Sequence, residues 1–209
     1  MAQILKDDTR NRIIDAAKEE FLEKGFKDAS LRNIAKKADM TVGNLYRYFT
    51  NKEDINKQIV EVTLNLLEEM VIKLSNNKIS FDGNHIDVDM NTDELIESLD
   101  KLTDEMVEIY KNHKIEFNIL MMQSKLNDDI TNWFSNVCKA IALKNYDLAN
   151  EDIDTLSHAY AVSIFSGLKD LFKNENKDYE LLKTHIKTYF RTYVHILNND
   201  IQKYLGENV

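Results

Sequence analysis

Apolar residues recur at the spacing of amphipathic helices along almost the whole chain. From Asp8 to Lys24 this spacing predicts a first helix, and Gly25 is expected to end it. Two shorter patterns follow, from Ser30 to Ala38 and from Thr41 to Phe49, and each starts with a hydroxyl that can cap a helix. Asp39 tolerates a left-handed backbone, so a sharp turn is expected between them. A helix, a tight turn and a second helix with a small apolar inner face are typical of a helix-turn-helix.

Longer helical patterns fill the rest of the chain and predict an all-α fold of about nine helices. The first of them is expected from Lys52 to Leu74, after a capping box formed by Asn51 and Asp54. Residues 75 to 92 break the periodicity and are predicted to be a loop. The absence of proline and the presence of only five glycines favour long helices. The remaining helices are predicted at about 93–111, 115–125, 127–144, 150–173 and 179–205.

The outward face of the second short helix indicates nucleic-acid binding. Gly43 is costly inside a helix, but it suits a place where another backbone must come close. Asn44 matches the hydrogen-bonding edge of adenine and Arg47 that of guanine, while Tyr46 and Lys52 are expected to reach phosphates. The alternative is a solvated helix that carries these residues by chance. Residues 29 to 52 hold five basic residues and one acid, net +4, in a chain of net charge −9, which favours phosphate contact.

The order and spacing of these residues resemble the N-terminal DNA-binding domain of the TetR family of bacterial transcriptional regulators. The matching segments are IIDAA (13–17), FLEKGF (21–26), SLRNIA (30–35) and VGNLYRYFTNKEDI (42–55). The family commonly has glycine in the turn, where this chain has Asp39. The resemblance implies a homodimeric repressor that binds double-stranded operator DNA and is released by a small-molecule ligand. The DNA-binding residues expected on this basis are Ser30, Arg32, Thr41, Val42, Gly43, Asn44, Tyr46, Arg47, Tyr48 and Lys52.

Charge divides the chain into two parts. Residues 1–54 hold 11 Lys+Arg and 10 Asp+Glu, net +1, and the remaining residues hold 16 and 26, net −10, which together give −9. Because DNA would repel the second part, DNA contact should be confined to the first. We therefore predict a helix-turn-helix domain over residues 1–51 and a helical ligand-binding and dimerisation domain over residues 52–209.

The second part carries signals for a dimer interface and for an effector pocket. Its last two predicted helices have wide apolar stripes and one face of small side chains, which predicts a four-helix interface between two copies. The interface residues expected there are Ala159, Ser163, Gly167, Tyr189, Tyr193 and Leu197. Aromatic and thioether side chains between residues 93 and 145 suit a pocket for a small apolar or weakly polar effector, although each also fits an ordinary core. The predicted pocket residues are Met106, Tyr110, Phe117, Met121, Met122, Trp133, Phe134 and His158, with Gln123 as a further polar group.

The chain carries no recognisable catalytic or cofactor motif. A glycine-rich phosphate loop, a nucleophile elbow and the HExxH and CxxC spacings are all missing from the sequence, so no enzyme, cofactor or metal is predicted. His85, Asp87 and Asp89 alternate, but a flexible acidic loop is a commoner explanation than a metal site. The single cysteine, Cys138, and the lack of a signal peptide or a long apolar run predict a cytoplasmic protein outside the membrane. The alternative function is a coactivator-like helical protein–protein interaction module that has kept the fold.

Overall fold

The computed structural model describes residues 2–75, 79–82, 85–88, 92–145, 150–174 and 178–197. Within these ranges the chain forms nine α-helices and one two-stranded hairpin. The all-α class predicted from the helical spacing is confirmed. The helices are α1 (Ala2–Asp28), α2 (Leu31–Lys37), α3 (Val42–Leu45), α4 (Lys52–Ser75), α5 (Thr92–Asn112), α6 (Lys114–Met121), α7 (Ser124–Asn145), α8 (Asn150–Lys173) and α9 (Tyr179–His195).

Several helices differ from their predicted extent, among them α6, which ends at Met121 instead of Lys125, and α7, which begins at Ser124 instead of at about residue 127. α1 begins earlier than predicted. The backbone of Gly25 (φ 73°, ψ 162°) is not helical and interrupts α1 where the helix was predicted to end, so the residues from Phe26 to Asp28 form a separate short segment. α3 ends at Leu45 because the following peptide groups close tighter turns. The Tyr48 N–H donates to the Leu45 carbonyl at 2.9 Å, an i→i−3 bond. The predicted end of α9, beyond Leu197, lies outside the described residues.

The segment predicted to be a loop contains an antiparallel hairpin. Its strands are β1 (Ile79–Asp82) and β2 (His85–Val88), and the register pairs Ile79 with Val88 and Phe81 with Ile86. Apolar and polar residues alternate in both strands, which is the strand signal that the loop prediction overlooked. Of the residues considered for a metal site, two belong to β2 and Asp89 lies outside the described residues.

By its internal contacts the chain forms two compact units. The first comprises residues 1–67 and 112–126, and the second comprises residues 68–111 and 127–209. This division does not coincide with the boundary predicted after residue 51, because the first part of α4 and all of α6 pack with α1, α2 and α3. Ile119 and Leu120 of α6 belong to the same buried cluster as Ile13, Phe21 and Leu45.

The apolar spacing predicts that Leu22 of α1 and Val62 of α4 lie in buried stripes, but both are exposed. Leu22 is 37% exposed and Val62 is 59% exposed. Ile55 and Ile59 of α4 are buried as predicted, and the stripe continues from them to Thr63, each residue four positions from the last, which follows the helical repeat more closely. The Thr63 hydroxyl is buried and has no hydrogen-bond partner within the described part of the chain.

The second unit has its own core between α5, α8 and α9. Tyr110 on α5 is buried with its ring 4.8 Å from that of Phe172, and its hydroxyl donates to the Phe172 carbonyl at 3.2 Å. At the surface, Arg191 on α9 pairs with Asp100 at 2.5 Å, which links α9 to α5.

In the described ranges, no helix has the combination of length and apolar character needed to span a bilayer.

Candidate nucleic-acid interface

The helix-turn-helix begins each of its helices with the hydroxyl predicted to cap it. The Ser30 Oγ accepts a bond from the Asn33 N–H at 3.2 Å, and the Thr41 Oγ1 accepts one from the Asn44 N–H at 3.2 Å. Asp39 between the helices has a φ of 53°, so the left-handed turn expected at this residue is confirmed. Since each capping hydroxyl keeps its own hydrogen, Ser30 and Thr41 can still donate to a phosphate.

α1 supports the helix-turn-helix through two side chains, those of Arg12 and Glu20. From the sequence, Arg12 is expected either to reach backbone phosphates or to be solvated, and no role is predicted for Glu20. The Arg12 guanidinium donates to the carbonyls of Ala38 and Asp39, the latter at 3.4 Å, so it holds the C-terminal end of α2. At the other end of α2, the Glu20 carboxylate, only 1% exposed, accepts a bond from the Asn33 side chain at 2.9 Å. Neither pairing follows a local sequence pattern, since the partners lie more than ten residues apart.

The Glu20 carboxylate is held in its charged form although it is buried. Burial by itself raises its pKa. The bonds from the Asn33 side chain and the Ser30 N–H, together with the Lys37 ammonium at 3.4 Å, outweigh that effect and bring the pKa below its ordinary value. A carboxylate at the first turn of α2 also faces the positive end of the helix dipole, which favours the same charge state.

α3 and the turn after it present the residues predicted to read DNA. Asn44 is partly exposed, Arg47 is exposed and Tyr46 is 54% exposed. A Cβ added at Gly43 would meet no atom of the described residues within 4 Å. The glycine therefore serves no packing need of the chain, and the cost of about 1 kcal/mol that glycine brings to a helix has no internal explanation.

The five basic residues between 29 and 52 form two groups: some side chains have no partner among the described residues, and others bind groups of their own chain. The side chains of Arg32 and Lys36, one turn apart on α2, and of Arg47 after α3 have no hydrogen bond or ion pair with any described residue. Lys37, in contrast, pairs with Glu23 at 2.8 Å. Three cations of the five are thus available to phosphates.

Lys52, predicted to contact phosphate, is engaged within the chain. Its ammonium donates to the carbonyls of Phe26 at 2.6 Å, Lys27 at 3.1 Å and Ala29 at 2.9 Å. The same ammonium lies 4.7 Å from the centre of the Phe26 ring. These carbonyls are the acceptors left open at the end of α1, and a phosphate contact would require Lys52 to leave them.

Two other residues predicted to contact DNA pack partly against the core of the first unit. Val42 and Tyr48 are partly buried and pack against the buried cluster of the first unit. Their DNA contacts stay a prediction, as do those of the exposed residues. What the structure brings together at one surface element is Thr41, Gly43, Asn44, Tyr46 and Arg47, on α3 and its flanking turns.

Four of the six residues predicted at a dimer interface line an open groove between α8 and α9. The groove has a volume of about 550 Å³. The Tyr189 hydroxyl donates to the Ser163 carbonyl at 2.7 Å, and the Tyr193 hydroxyl shares a hydrogen bond with the Ser163 side chain. Burial of the Tyr189 hydroxyl, and then its contact with Tyr193, raises its pKa. The lining residues are Leu156, Ala159, Tyr160, Ser163, Tyr189, Thr192, Tyr193 and Ile196.

Two of the predicted interface residues lie outside this lining. A Cβ on Gly167 would meet the Tyr189 Oη at 2.1 Å, so the glycine makes room for a tyrosine of its own chain. Leu197 is buried in the core. Gly167 is therefore explained within one subunit and needs no second copy.

The predicted pocket residues do not line that groove. They are divided between the two units: Phe117, Met121 and Met122 belong to the first, whereas Met106, Tyr110, Trp133, Phe134 and His158 belong to the second. Met106, Tyr110 and Phe117 are buried core residues, and Met122 and His158 are exposed. Gln123 donates to the Asn56 side chain at 3.3 Å. The effector pocket stays a prediction.

Comparison with known proteins agrees with the helix-turn-helix geometry. Residues 13–59 match the family model described as "Bacterial regulatory proteins, tetR family". The chain is 27% identical over 190 residues to the biofilm operon icaADBC HTH-type negative transcriptional regulator IcaR of Staphylococcus epidermidis, covering 85% of this chain and 99% of that protein.

Solved structures show the same fold. A TetR family transcriptional regulator from Chloroflexus aurantiacus J-10-FL superimposes with a TM-score of 0.57 at 15% identity and covers 91% of this chain and 92% of its own. AibR in complex with isovaleryl coenzyme A and operator DNA superimposes with a TM-score of 0.51 at 15% identity, covering 90% of this chain and 97% of its own. Residues 13–59 thus match the tetR family of bacterial regulatory proteins, and the chain shares the fold of the solved regulators.

Proposed function

We propose that this protein is a sequence-specific DNA-binding transcriptional regulator of the cytoplasm and that it acts as a repressor. The observation that supports the proposal most strongly is the surface of α3 and its flanking turns. It presents an amide, a phenol and a guanidinium outward, next to a glycine that the chain itself does not need. Amide and guanidinium groups hydrogen-bond to base edges in the major groove, and an α-helix fits that groove.

Charge supports the same function. Arg32, Lys36 and Arg47 are free to neutralise phosphates, while the residues after 54 carry a net charge of −10. A protein of this kind binds DNA through one part and is repelled from it by the other. IcaR is by its name a negative transcriptional regulator, which favours repression over activation here.

We propose that two copies associate through the groove between α8 and α9. Leu156 is 38% exposed at its edge, and tyrosine side chains form much of its wall. Aromatic residues are enriched where protein surfaces meet, and a two-fold axis would bring the same groove of both subunits together. A dimer would also offer two copies of α3 to two half-sites on one DNA.

We propose further that a small apolar or weakly polar effector releases the protein from DNA. AibR is a related fold whose structure contains both an acyl-coenzyme A and operator DNA. In this chain, the buried indole N–H of Trp133 has no acceptor within the described part of the chain, and a ligand that offers an acceptor would satisfy it.

The alternative function, a helical protein–protein interaction module, is less well supported. A module that no longer bound DNA would have no use for three unpaired cations around α3, nor for a helical glycine without a packing role. DNA binding by the purified protein separates the two functions.

Replacing Gly43 by alanine should move stability and DNA affinity in opposite directions. The free energy of unfolding should rise by up to about 1 kcal/mol, because alanine favours the helix and its methyl group would collide with no described residue of the protein. DNA affinity should fall, because the only atoms left to collide with that methyl group are those of the DNA backbone. Urea unfolding and fluorescence anisotropy with labelled DNA measure the two effects. Unchanged affinity in the stabilised variant would argue against α3 lying in a groove.

A further inference from the structure

Two cations of the first unit donate hydrogen bonds to main-chain carbonyls of their own chain. Arg12 donates to the carbonyls of Ala38 and Asp39, at the C-terminal end of α2. Lys52 donates to the carbonyls of Phe26, Lys27 and Ala29, and Ala29 directly precedes the residue that caps α2. The two side chains therefore hold the chain on either side of the seven-residue helix α2.

Both interactions are of the stronger kind of hydrogen bond. A charged donor on a neutral carbonyl forms a charge-assisted bond, which contributes more than a neutral pair. Each also satisfies acceptors that a helix end leaves open. In addition, the Lys52 ammonium lies over the Phe26 ring at 4.7 Å. Neither cation is in the position of a free phosphate ligand such as Arg32 or Lys36.

The Arg12 contact coincides with the strained residue of the turn. Asp39 has a φ of 53°, a left-handed conformation that costs a residue with a Cβ more than it costs glycine. Arg12 binds the carbonyls of that residue and of the one before it, so it stabilises the turn conformation that fixes how α3 leaves α2.

We propose that Arg12 and Lys52 are positioning residues for DNA binding, which hold α2 and the turn in place while other cations neutralise phosphates. The proposal rests on the proposed DNA-binding function. It predicts that the loss of Arg12 or Lys52 affects DNA binding differently from the loss of Arg32 or Lys36, although all four residues carry the same charge and lie in the first unit.

Salt dependence distinguishes the two groups, and the chain offers a matched control for each residue. Arg12→Met is compared with Arg32→Met, and Lys52→Met with Lys36→Met, so that each pair removes one positive charge and keeps an unbranched side chain. The probe is a duplex selected from a random-sequence library by the parent protein. Affinity is measured over a range of KCl concentrations at a temperature where circular dichroism shows every variant folded.

The controls and the positioning variants should respond differently. Arg32→Met and Lys36→Met should each lower the slope of log affinity against log salt by about 0.9, as expected for one lost phosphate contact. Arg12→Met and Lys52→Met should keep the parent slope and lose affinity by about tenfold at every salt concentration, as expected for lost charge-assisted bonds. A slope lowered by about 0.9 in Arg12→Met or Lys52→Met, or an unchanged affinity, would overturn the proposal.

A rescue experiment separates positioning from a general loss of stability. Asp39→Gly relieves the left-handed strain, so Arg12→Met should lose several-fold less affinity in that background, whereas the loss in Lys52→Met should stay the same. Equal losses for Arg12→Met in both backgrounds would contradict the role given to Arg12. If the parent bound no duplex at all, the proposed function would fail instead. The Arg12–Asp39 coupling would then be decided by the same pair of substitutions in urea unfolding, where non-additive midpoint shifts support it and additive shifts overturn it.

Discussion

Phe49→Ala should lower the free energy of unfolding of the first unit by about 3–5 kcal/mol, the cost of truncating a buried phenylalanine. Phe49 is 1% exposed and shares the buried cluster with Leu45. The Arg10 guanidinium lies 4.8 Å from its ring centre and also donates to the Gln58 side chain. The substitution therefore removes packing at the point where α1, the end of the helix-turn-helix and α4 meet. Urea unfolding monitored by circular dichroism measures the loss.

Tyr46→Ala is the matched control for that result. Tyr46 lies three residues earlier and is 54% exposed, and its side chain has no hydrogen-bond partner in the described part of the chain. Its removal should change the free energy of unfolding by less than about 0.5 kcal/mol, as is usual for a surface site. It should nevertheless weaken binding to DNA of any sequence. Equal destabilisation by the two substitutions would contradict the buried position of Phe49 and the exposed position of Tyr46.

Leu156→Glu should convert the proposed dimer into a monomer. The residue lines the groove between α8 and α9, where a second copy would bury the introduced carboxylate without a partner. An uncompensated buried charge costs about 3–5 kcal/mol, and a two-fold interface would incur that cost in both subunits. Light scattering of the protein as it elutes from a size-exclusion column gives its mass directly. The affinity for operator DNA should also fall in this variant, because a monomer reaches only one half-site.

Leu143→Glu provides the control on a surface that is not part of the groove. Leu143 is 40% exposed on α7, close to the 38% of Leu156, and the same charge is introduced. This variant should remain dimeric and keep its affinity for DNA. A monomeric parent at micromolar concentration would refute the proposed interface, as would a Leu156→Glu variant with the mass of the parent.

Local features of the helix-turn-helix were predictable because their causes lie within a few residues. Ser30 and Thr41 each cap the backbone three residues later, and a short polar side chain can reach no further. The left-handed turn at Asp39 follows from the same local chemistry. The positions of α4 and α8 were equally predictable, since long apolar repeats without proline, and with Gly167 as the one glycine in these two helices, leave few alternatives to a helix.

The roles of the basic residues could not be predicted, because they depend on distant backbone. Lys52 and Arg12 both bind carbonyls 26 residues away. No pattern in the sequence separates Lys52 from Lys36, although one is engaged and the other free. Counting charges therefore predicts a positive surface but does not show that the Lys52 ammonium is engaged within the chain. A similar limit explains Gly167, since its space is filled by Tyr189 from another helix.

The hairpin, and the apolar stripes of α1 and α4 that were predicted to include Leu22 and Val62, show a different limit of prediction from the sequence. In the hairpin, the alternation of apolar residues was present but was outweighed by the turn residues at its centre. In α4, a threonine occupies the buried position and a valine the exposed one, so hydrophobicity alone pointed to the wrong neighbour. Helical geometry, which continues the spacing from Ile59 to Thr63, would have been the better guide.

Selection from a random-sequence duplex library tests the central proposal, sequence-specific DNA binding by α3, most directly. The parent should enrich an inverted repeat whose half-sites are separated by about one turn of DNA, 34–36 Å, or a multiple of it. A variant with Asn44→Ala and Arg47→Ala should still bind DNA but lose its preference within each half-site, because these side chains are proposed to contact bases. Enrichment of no sequence by the folded parent, or an unchanged preference in the double variant, would contradict the proposal.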